Sequence, residues 1–256
     1  MMILCWITYF SILISVVYGN FARKIYGGKL IRIYLAPYVV SIQVRNHHIC
    51  GGSIISDKYV LTAANCVLAE ENVVYGNIQV LAGTHDITDS QYGQIHKVSN
   101  VIFHEFYNPR DNWINDIAIL KLETPIVIQL AYRELVRLPL RKCLGNRYHT
   151  SGWGIDPITH DLSTYLQRIS IHTVKSTICR SKYSGLLIDF TTQHCFFPSL
   201  SSTGLSPGAG GSPIMYGRQI AGIISFDSLD VNDPAVYTDV VGYKYWMEQM
   251  KAKTIY

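Results

Sequence analysis

The chain has 256 residues, of which 48% are hydrophobic and 16% are charged, and its formal net charge is +4 at pH 7. That length fits one large domain or two small ones, and the apolar fraction is enough for a sizeable core. The low charge content excludes a charge-rich disordered chain. So small a positive charge gives no indication of nucleic-acid binding, and we expect no nucleic-acid partner.

The chain begins with an almost wholly apolar run from Ile3 to Tyr18, followed by the small residue Gly19. This pattern is typical of a secretory signal peptide, although no Lys or Arg precedes the run. A membrane anchor is the alternative, but about 16 residues is short for a span that needs about 20. We therefore predict a signal peptide over residues 1–19, a secreted protein, and no membrane span after signal cleavage.

Short runs of β-branched and aliphatic residues then alternate with turn residues. They are Val39–Val44, Gly52–Ile55, Tyr59–Thr62, Ile78–Gly83, Ile117–Leu122, Ile169–Val174 and Ile220–Ser225. Many short strands with turns between them predict an all-β barrel or sandwich. Tyr243–Lys253 contains neither Gly nor Pro, and it predicts one C-terminal helix.

Seven motifs follow one another in the order found in trypsin/chymotrypsin-like (S1 family) serine proteases. They are Ile25–Gly28, Cys50–Ile55, Ala63–Cys66, Asn115–Leu120, Ser151–Gly154, Ser206–Pro213 and Pro234–Val240. The chain therefore resembles this family over residues 25–256, with residues 20–24 left as a short propeptide-like segment. The resemblance implies an all-β fold of two antiparallel six-stranded β-barrels with a C-terminal α-helix, and an active-site cleft between the barrels.

The resemblance also locates the catalytic positions, and two of the three are changed. Asn65 stands at the position of the catalytic His and Gly210 at that of the Ser, whereas Asp116 and its usual partner Ser225 are present. Catalysis needs a nucleophile, a base and an orienting carboxylate, and a carboxamide has no usable proton affinity. We therefore expect no intact catalytic triad and no enzyme activity. The alternative, a serine-type endopeptidase with non-standard residues, needs another nucleophile, and Ser212 is two residues too far along, at about 7 Å.

Further family positions are also changed. Ala209 replaces the Asp that receives the new N-terminal amine after cleavage before Ile25. Gly204 occupies the base of the specificity pocket, where it offers no charge to select Lys or Arg. The segment Ser225–Asp227 replaces the family's Ser-Trp-Gly, and Asp227 either crowds the pocket entrance or is a solvated loop residue. We therefore predict a degenerate specificity pocket at Gly204, Ser225, Phe226 and Asp227.

Five cysteines remain after signal cleavage, at positions 50, 66, 143, 179 and 195. Secretion permits disulfides, and the resemblance implies the pairs Cys50–Cys66 and Cys179–Cys195. Cys143 is left over, either as a buried free thiol or as a link between two chains.

Positive charge is concentrated within fifteen residues, at Arg133, Arg137, Arg141, Lys142 and Arg147. This segment either binds a polyanion such as a sulfated glycan or is a solvated linker. No Cys/His spacing predicts a zinc site, and we expect neither a metal nor a cofactor. The sequence thus predicts a secreted, non-catalytic serine protease homologue that binds an extracellular protein (a protease, an inhibitor or a receptor) as a regulator or a decoy.

Overall fold

The computed structural model of the chain describes residues 25–253, apart from positions 71, 90, 144, 146, 156–161, 184–187, 206–207 and 228–231. The predicted signal peptide (1–19) and the propeptide-like segment (20–24) lie outside the described residues. Within the described part of the chain, no helix is long and apolar enough to cross a bilayer.

Short strands dominate the structure. They are β1 (Ile25–Tyr26), β2 (Lys29–Leu30), β3 (Val39–Val44), β4 (His47–Ile54), β5 (Tyr59–Thr62), β6 (Leu68–Glu70), β7 (Val73–Val74), β8 (Ile78–Ala82), β9 (Gln94–Phe103), β10 (Ala118–Leu122), β11 (Tyr148–Ile155), β12 (Leu162–Thr173), β13 (Gln193–Pro198), β14 (Gly204–Leu205), β15 (Pro213–Tyr216), β16 (Gln219–Phe226) and β17 (Ala235–Asp239). The α-helices are α1 (Ser176–Lys182) and α2 (Lys244–Lys253), and short 3-10 turns lie at Ile33–Leu35, Ala64–Cys66 and Val241–Tyr243.

The first barrel closes in the order β10-β5-β4-β3-β8-β9, with every pairing antiparallel. Closure leaves no free strand edge around the barrel. Fully buried aliphatic side chains such as Ile42, Leu61 and Ile119 fill it. Helix α2 adds Trp246 and Met247 to the same apolar cluster. The C-terminal helix thus stabilises the first barrel, although the chain enters it from the second.

The second barrel runs in the order β11-β15-β16-β17-β13-β12, and a direct pairing of β11 with β12 closes it. Strand β2 adds to the outer side of β12. Phe196 and Ile214 are fully buried in its core. The predicted fold class is therefore confirmed: two antiparallel six-stranded β-barrels with a C-terminal α-helix.

The predicted elements agree with the structure where burial is strong. Strands β3 and β5 have the predicted bounds, and the terminal helix begins one residue late, at Lys244. The elements that the prediction missed include β9, whose burial alternates poorly along its length, and α1, in which Cys179 is the buried residue. Neither segment has the apolar periodicity from which a strand or helix is recognised.

The basic segment differs from its prediction at one position. The Arg133 side chain is buried, and its guanidinium donates from Nε to the Val127 carbonyl at 2.8 Å and from Nη2 to Gln129 Oε1 at 2.7 Å. Arg133 therefore holds a turn together and does not belong to a polyanion-binding surface. Of the others, Arg137, Arg141 and Arg147 are exposed, and Lys142 lies with Nζ 2.9 Å from His194 Nε2.

The structure joins Cys50 to Cys66 and Cys179 to Cys195, as the resemblance implied. Cys143 is free and half-buried. Burial raises the pKa of its thiol, and the nearby Asp239 carboxylate raises it further. A raised pKa leaves little reactive thiolate at neutral pH, and both expectations for Cys143, a free thiol and a link between two chains, stay predictions.

Candidate functional site

The cleft between the barrels brings together three residues that are far apart in sequence. Asp116 lies just before β10 of the first barrel, Asn65 lies in the 3-10 turn after β5, and Ser225 lies near the end of β16 in the second barrel. The buried Asp116 carboxylate accepts the Asn65 backbone N–H at 2.9 Å, Asn65 Nδ2 at 2.7 Å and Ser225 Oγ at 2.5 Å. This network ties the two barrels together across the cleft.

The Asn65 carboxamide has one orientation in this network. Its Nδ2 donates to Asp116 Oδ2 and, at 2.8 Å, to the Ser225 carbonyl oxygen. Reversing the amide would set its oxygen against two acceptors. Asn65 Oδ1 is therefore left buried without a hydrogen-bond partner in the described part of the chain, and it faces Gly210, where a β-carbon would lie 3.4 Å away. An amide oxygen thus occupies the place from which a base would take a proton.

Gly210 lies against the disulfide of the first barrel. A β-carbon on Gly210 would lie 3.2 Å from Cys66 Sγ and 3.4 Å from Cys50 Sγ, and the Gly210 carbonyl accepts the Gly51 N–H at 2.9 Å. Gly211 follows with φ +72°, a conformation that glycine adopts without strain. The backbone turn is held in place, but it carries no nucleophilic atom.

The nearby hydroxyl and imidazole groups have other positions. Ser212 is buried against Gly51, and its hydroxyl has no hydrogen-bond partner among the described residues. It is therefore linked to neither Asn65 nor Asp116. His48 lies on β4 with Nδ1 2.7 Å from Ser41 Oγ and its ring edge-on to Trp153. The hydroxyl–imidazole pair among these groups is that of Ser41 with His48, which is buried on β3 and β4 of the first barrel.

Two opposing effects set the ionisation of Asp116. Complete burial raises the pKa of its carboxyl group to about 6, although hydrogen bonds from Ser225, Asn65 and the Ala64 backbone lower it. At neutral pH Asp116 is therefore ionised, and it becomes neutral in mildly acidic solution.

This shift predicts a pH dependence of stability. Because the folded-state pKa of about 6 lies above the unfolded value of 3.8, the protonated form favours folding. Relative to Asp116→Asn, the wild-type free energy of unfolding should rise by about 3 kcal/mol as the pH falls through this window, and should lose that increment as the pH rises through 6. Urea denaturation of both proteins at a series of pH values measures the difference. A difference that stays constant across the window would contradict the assignment.

The position expected to anchor a new N-terminus is apolar. Ala209 is fully buried in a cluster with Ile214 and Ile224, so no carboxylate is present there to receive an amine. Beside it, β1 pairs with β14, which sets Tyr26 opposite Gly204. The N-terminal strand is thus held by backbone pairing at the base of the predicted pocket.

Two further aromatic rings contact Phe226 of the degenerate pocket, and the sequence analysis missed both. Trp113 packs on Phe226 with ring centroids 4.8 Å apart, and Tyr183 packs edge-on at 5.9 Å. Gln193 of the second barrel donates through Nε2 to the Asn112 carbonyl at 2.9 Å, which holds the turn that carries Trp113. No local pattern marks Trp113, because its place depends on the meeting of the two barrels.

The remaining predicted pocket residue lies at the margin of this aromatic group. Asp227 follows β16 directly and is half-buried, next to residues 228–231, which the structure does not describe. The structure therefore places Asp227 beside the cleft, and both expectations for its role stay predictions.

Comparisons with known proteins agree with this architecture. The Trypsin family profile matches residues 25–247. Granzyme M of Rattus norvegicus is 31% identical over 245 residues, covering 91% of each chain. Trypsin-3 of Salmo salar is 33% identical over 233 residues, covering 88% of this chain and 91% of its own. A solved structure described as "Structure of GrC" superposes with a TM-score of 0.77 at 27% identity, covering 88% of this chain and 99% of that one. Since profile, relatives and fold agree over almost the whole described chain, the protein belongs to the trypsin family of serine proteases.

Proposed function

We propose that this chain is a secreted, non-catalytic member of the trypsin family that acts by binding an extracellular protein. The observation that carries the proposal is the state of Asn65. Both of its amide hydrogens are donated, to Asp116 and to the Ser225 carbonyl, and its oxygen faces a glycine. A carboxamide in this position cannot cycle a proton between nucleophile and leaving group.

The same network supports a binding role. The Asp116 carboxylate accepts from both Asn65 and Ser225 across the two barrels, so the cleft keeps its shape without catalytic residues. The half-buried aromatic rings of Trp113 and Phe226 offer an apolar surface beside it. A cleft of family shape without a nucleophile is suited to hold a protease, an inhibitor or a receptor without cleaving it, as a regulator or decoy.

Secretion is part of the proposal. Two disulfides join the chain, and such bonds persist in oxidising compartments. The apolar N-terminal run also supports export.

The alternative function is a serine-type endopeptidase that uses non-standard residues. Two observations favour it: the Ser212 hydroxyl is buried with no hydrogen-bond partner among the described residues, and relatives of the chain carry the names of proteases.

We expect no reaction with a fluorophosphonate probe, because Gly210 has no hydroxyl and the Ser212 hydroxyl is hydrogen-bonded to no base among the described residues. The purified protein is incubated with the probe beside an active trypsin as positive control, and labelling is read on a gel. The matched variant is Ser212→Ala. Labelling of the wild type that disappears in Ser212→Ala would establish the endopeptidase and end the non-catalytic proposal.

The proposed binding of an extracellular protein is tested with the same purified protein. Immobilised wild type should retain a protein from the fluid into which it is secreted, and Trp113→Ala should retain less, because the aromatic surface is reduced. Equal retention by both proteins would show that the cleft is not the binding site.

A further inference from the structure

The segment that connects the barrels carries an unusual apolar turn, residues 127–133. The side chains of Val127, Ile128, Leu130 and Tyr132 are 62%, 42%, 80% and 46% exposed. Soluble monomers rarely expose a contiguous apolar patch of this kind, and such patches mark interaction sites. None of these residues takes part in the cleft.

The turn is rigid, because it bonds to itself. Gln129 and Arg133 pair through their backbones at 3.0 and 2.8 Å, and the Tyr132 N–H donates to the Gln129 carbonyl at 3.0 Å. The buried Arg133 guanidinium holds the Val127 carbonyl, and Glu134 Oε1 accepts the Ala131 N–H at 2.8 Å. These bonds satisfy five of the seven backbone N–H groups of the turn, all but those of Ile128 and Leu130, and so hold the turn in one conformation.

The backbone hydrogen bonds of the turn bear on whether its partner is a lipid or a protein. A backbone that enters an apolar medium must have its polar groups satisfied internally, since lipid offers no hydrogen bonds. The amides of Val127, Gln129, Ala131, Tyr132 and Arg133 all have acceptors within the protein. Tyr132 has the amphipathic ring that is favoured at a membrane interface.

Exposed basic residues follow the apolar turn in the sequence. Arg137 and Arg141 follow the turn and are exposed, and Lys142 is 51% exposed. The acidic residue between the turn and these cations, Glu134, is already bonded to Ala131. Basic residues next to a membrane surface each contribute about 1 kcal/mol of attraction to anionic lipid.

We propose that the apolar turn and its basic flank dock on an anionic lipid bilayer, with Leu130 and Tyr132 entering the interface and Arg137 and Arg141 contacting head groups. An exposed apolar turn fits the fluid interface of a bilayer, whereas a protein partner would need a matching pocket. A sulfated glycan would use the arginines but not the turn.

Cosedimentation with vesicles of phosphatidylcholine, with and without phosphatidylserine, tests the proposal. The full chain should bind the phosphatidylserine vesicles, and less at high salt. Leu130→Ser should weaken binding about tenfold, the loss expected when one leucine is no longer buried. Phe106→Ser is the matched control, since Phe106 is 69% exposed outside the turn. Arg137→Gln with Arg141→Gln should remove the preference for phosphatidylserine, whereas Arg45→Gln, on the exposed β3–β4 hairpin, should keep it.

Insertion has its own readout. The fluorescence of Tyr132→Trp should shift to the blue on vesicle binding, and that of Phe106→Trp should not. Equal vesicle binding by wild type and Leu130→Ser would overturn the proposal. So would heparin binding that needs Arg137 and Arg141 without vesicle binding, or capture of an acidic protein with no affinity for either vesicle. Equal thermal unfolding of the variants confirms that they are folded.

Discussion

Asp116→Ala is expected to lower the free energy of unfolding by about 3 kcal/mol at neutral pH, because three buried donors lose their acceptor, whereas removal of a buried carboxylate with a pKa of about 6 returns about 3 kcal/mol. The substitution leaves the Asn65 backbone N–H, one hydrogen of Asn65 Nδ2 and the Ser225 hydroxyl without an acceptor, all inside the cleft. Each buried, unsatisfied donor costs about 1–3 kcal/mol. Denaturant unfolding with a cooperative probe measures the change.

The control for this prediction is Asp116→Asn. It keeps the volume and one acceptor oxygen, so it should cost clearly less than Ala at neutral pH. A loss below about 1 kcal/mol for Ala, within the range of a surface substitution, would mean that this carboxylate does not stabilise the contact between the barrels.

Rebuilding the catalytic residues is expected to fail in steps. Asn65→His alone and Gly210→Ser alone should give no measurable hydrolysis, because nucleophile and base act as a unit. Together they complete the triad with Asp116. A serine β-carbon also fits with small shifts, since its contacts with Cys66 Sγ and Cys50 Sγ would be 3.2 and 3.4 Å. The double variant should nevertheless be feebly active, because the pocket is unchanged.

Adding Ala209→Asp should raise this activity more than any further change at the triad, but only after cleavage before Ile25. Ala209 lies in an apolar cluster, so an aspartate there destabilises the uncleaved chain until an amine pairs with it. Peptide hydrolysis and thermal unfolding, before and after cleavage, measure both effects. Family-typical rates from the double variant alone would show that Ala209 and Gly204 do not limit the site, and the argument for a pure binding role would fail.

The sequence predicted the fold well where its motifs and apolar runs are strong. Strands β3 and β5 and the terminal helix were recognised from composition, and the two-barrel arrangement followed from the family resemblance. Strand β9 and helix α1 were missed because their buried residues do not repeat with the period of a strand or a helix. Arg133 was misjudged because a run of basic residues is usually solvated, and its burial depends on the turn that folds over it.

The sequence by itself determined that position 65 carries no imidazole and position 210 no hydroxyl, because proton affinity and nucleophilicity belong to residue types. Only the tertiary structure decided what surrounds these two positions and how the Asn65 amide is hydrogen-bonded. The single orientation of the Asn65 amide, the contact of Trp113 with Phe226 and the apolar surroundings of Ala209 all arise where segments distant in the chain pack together. Such contacts depend on the relative placement of two barrels, which no local pattern of residues encodes.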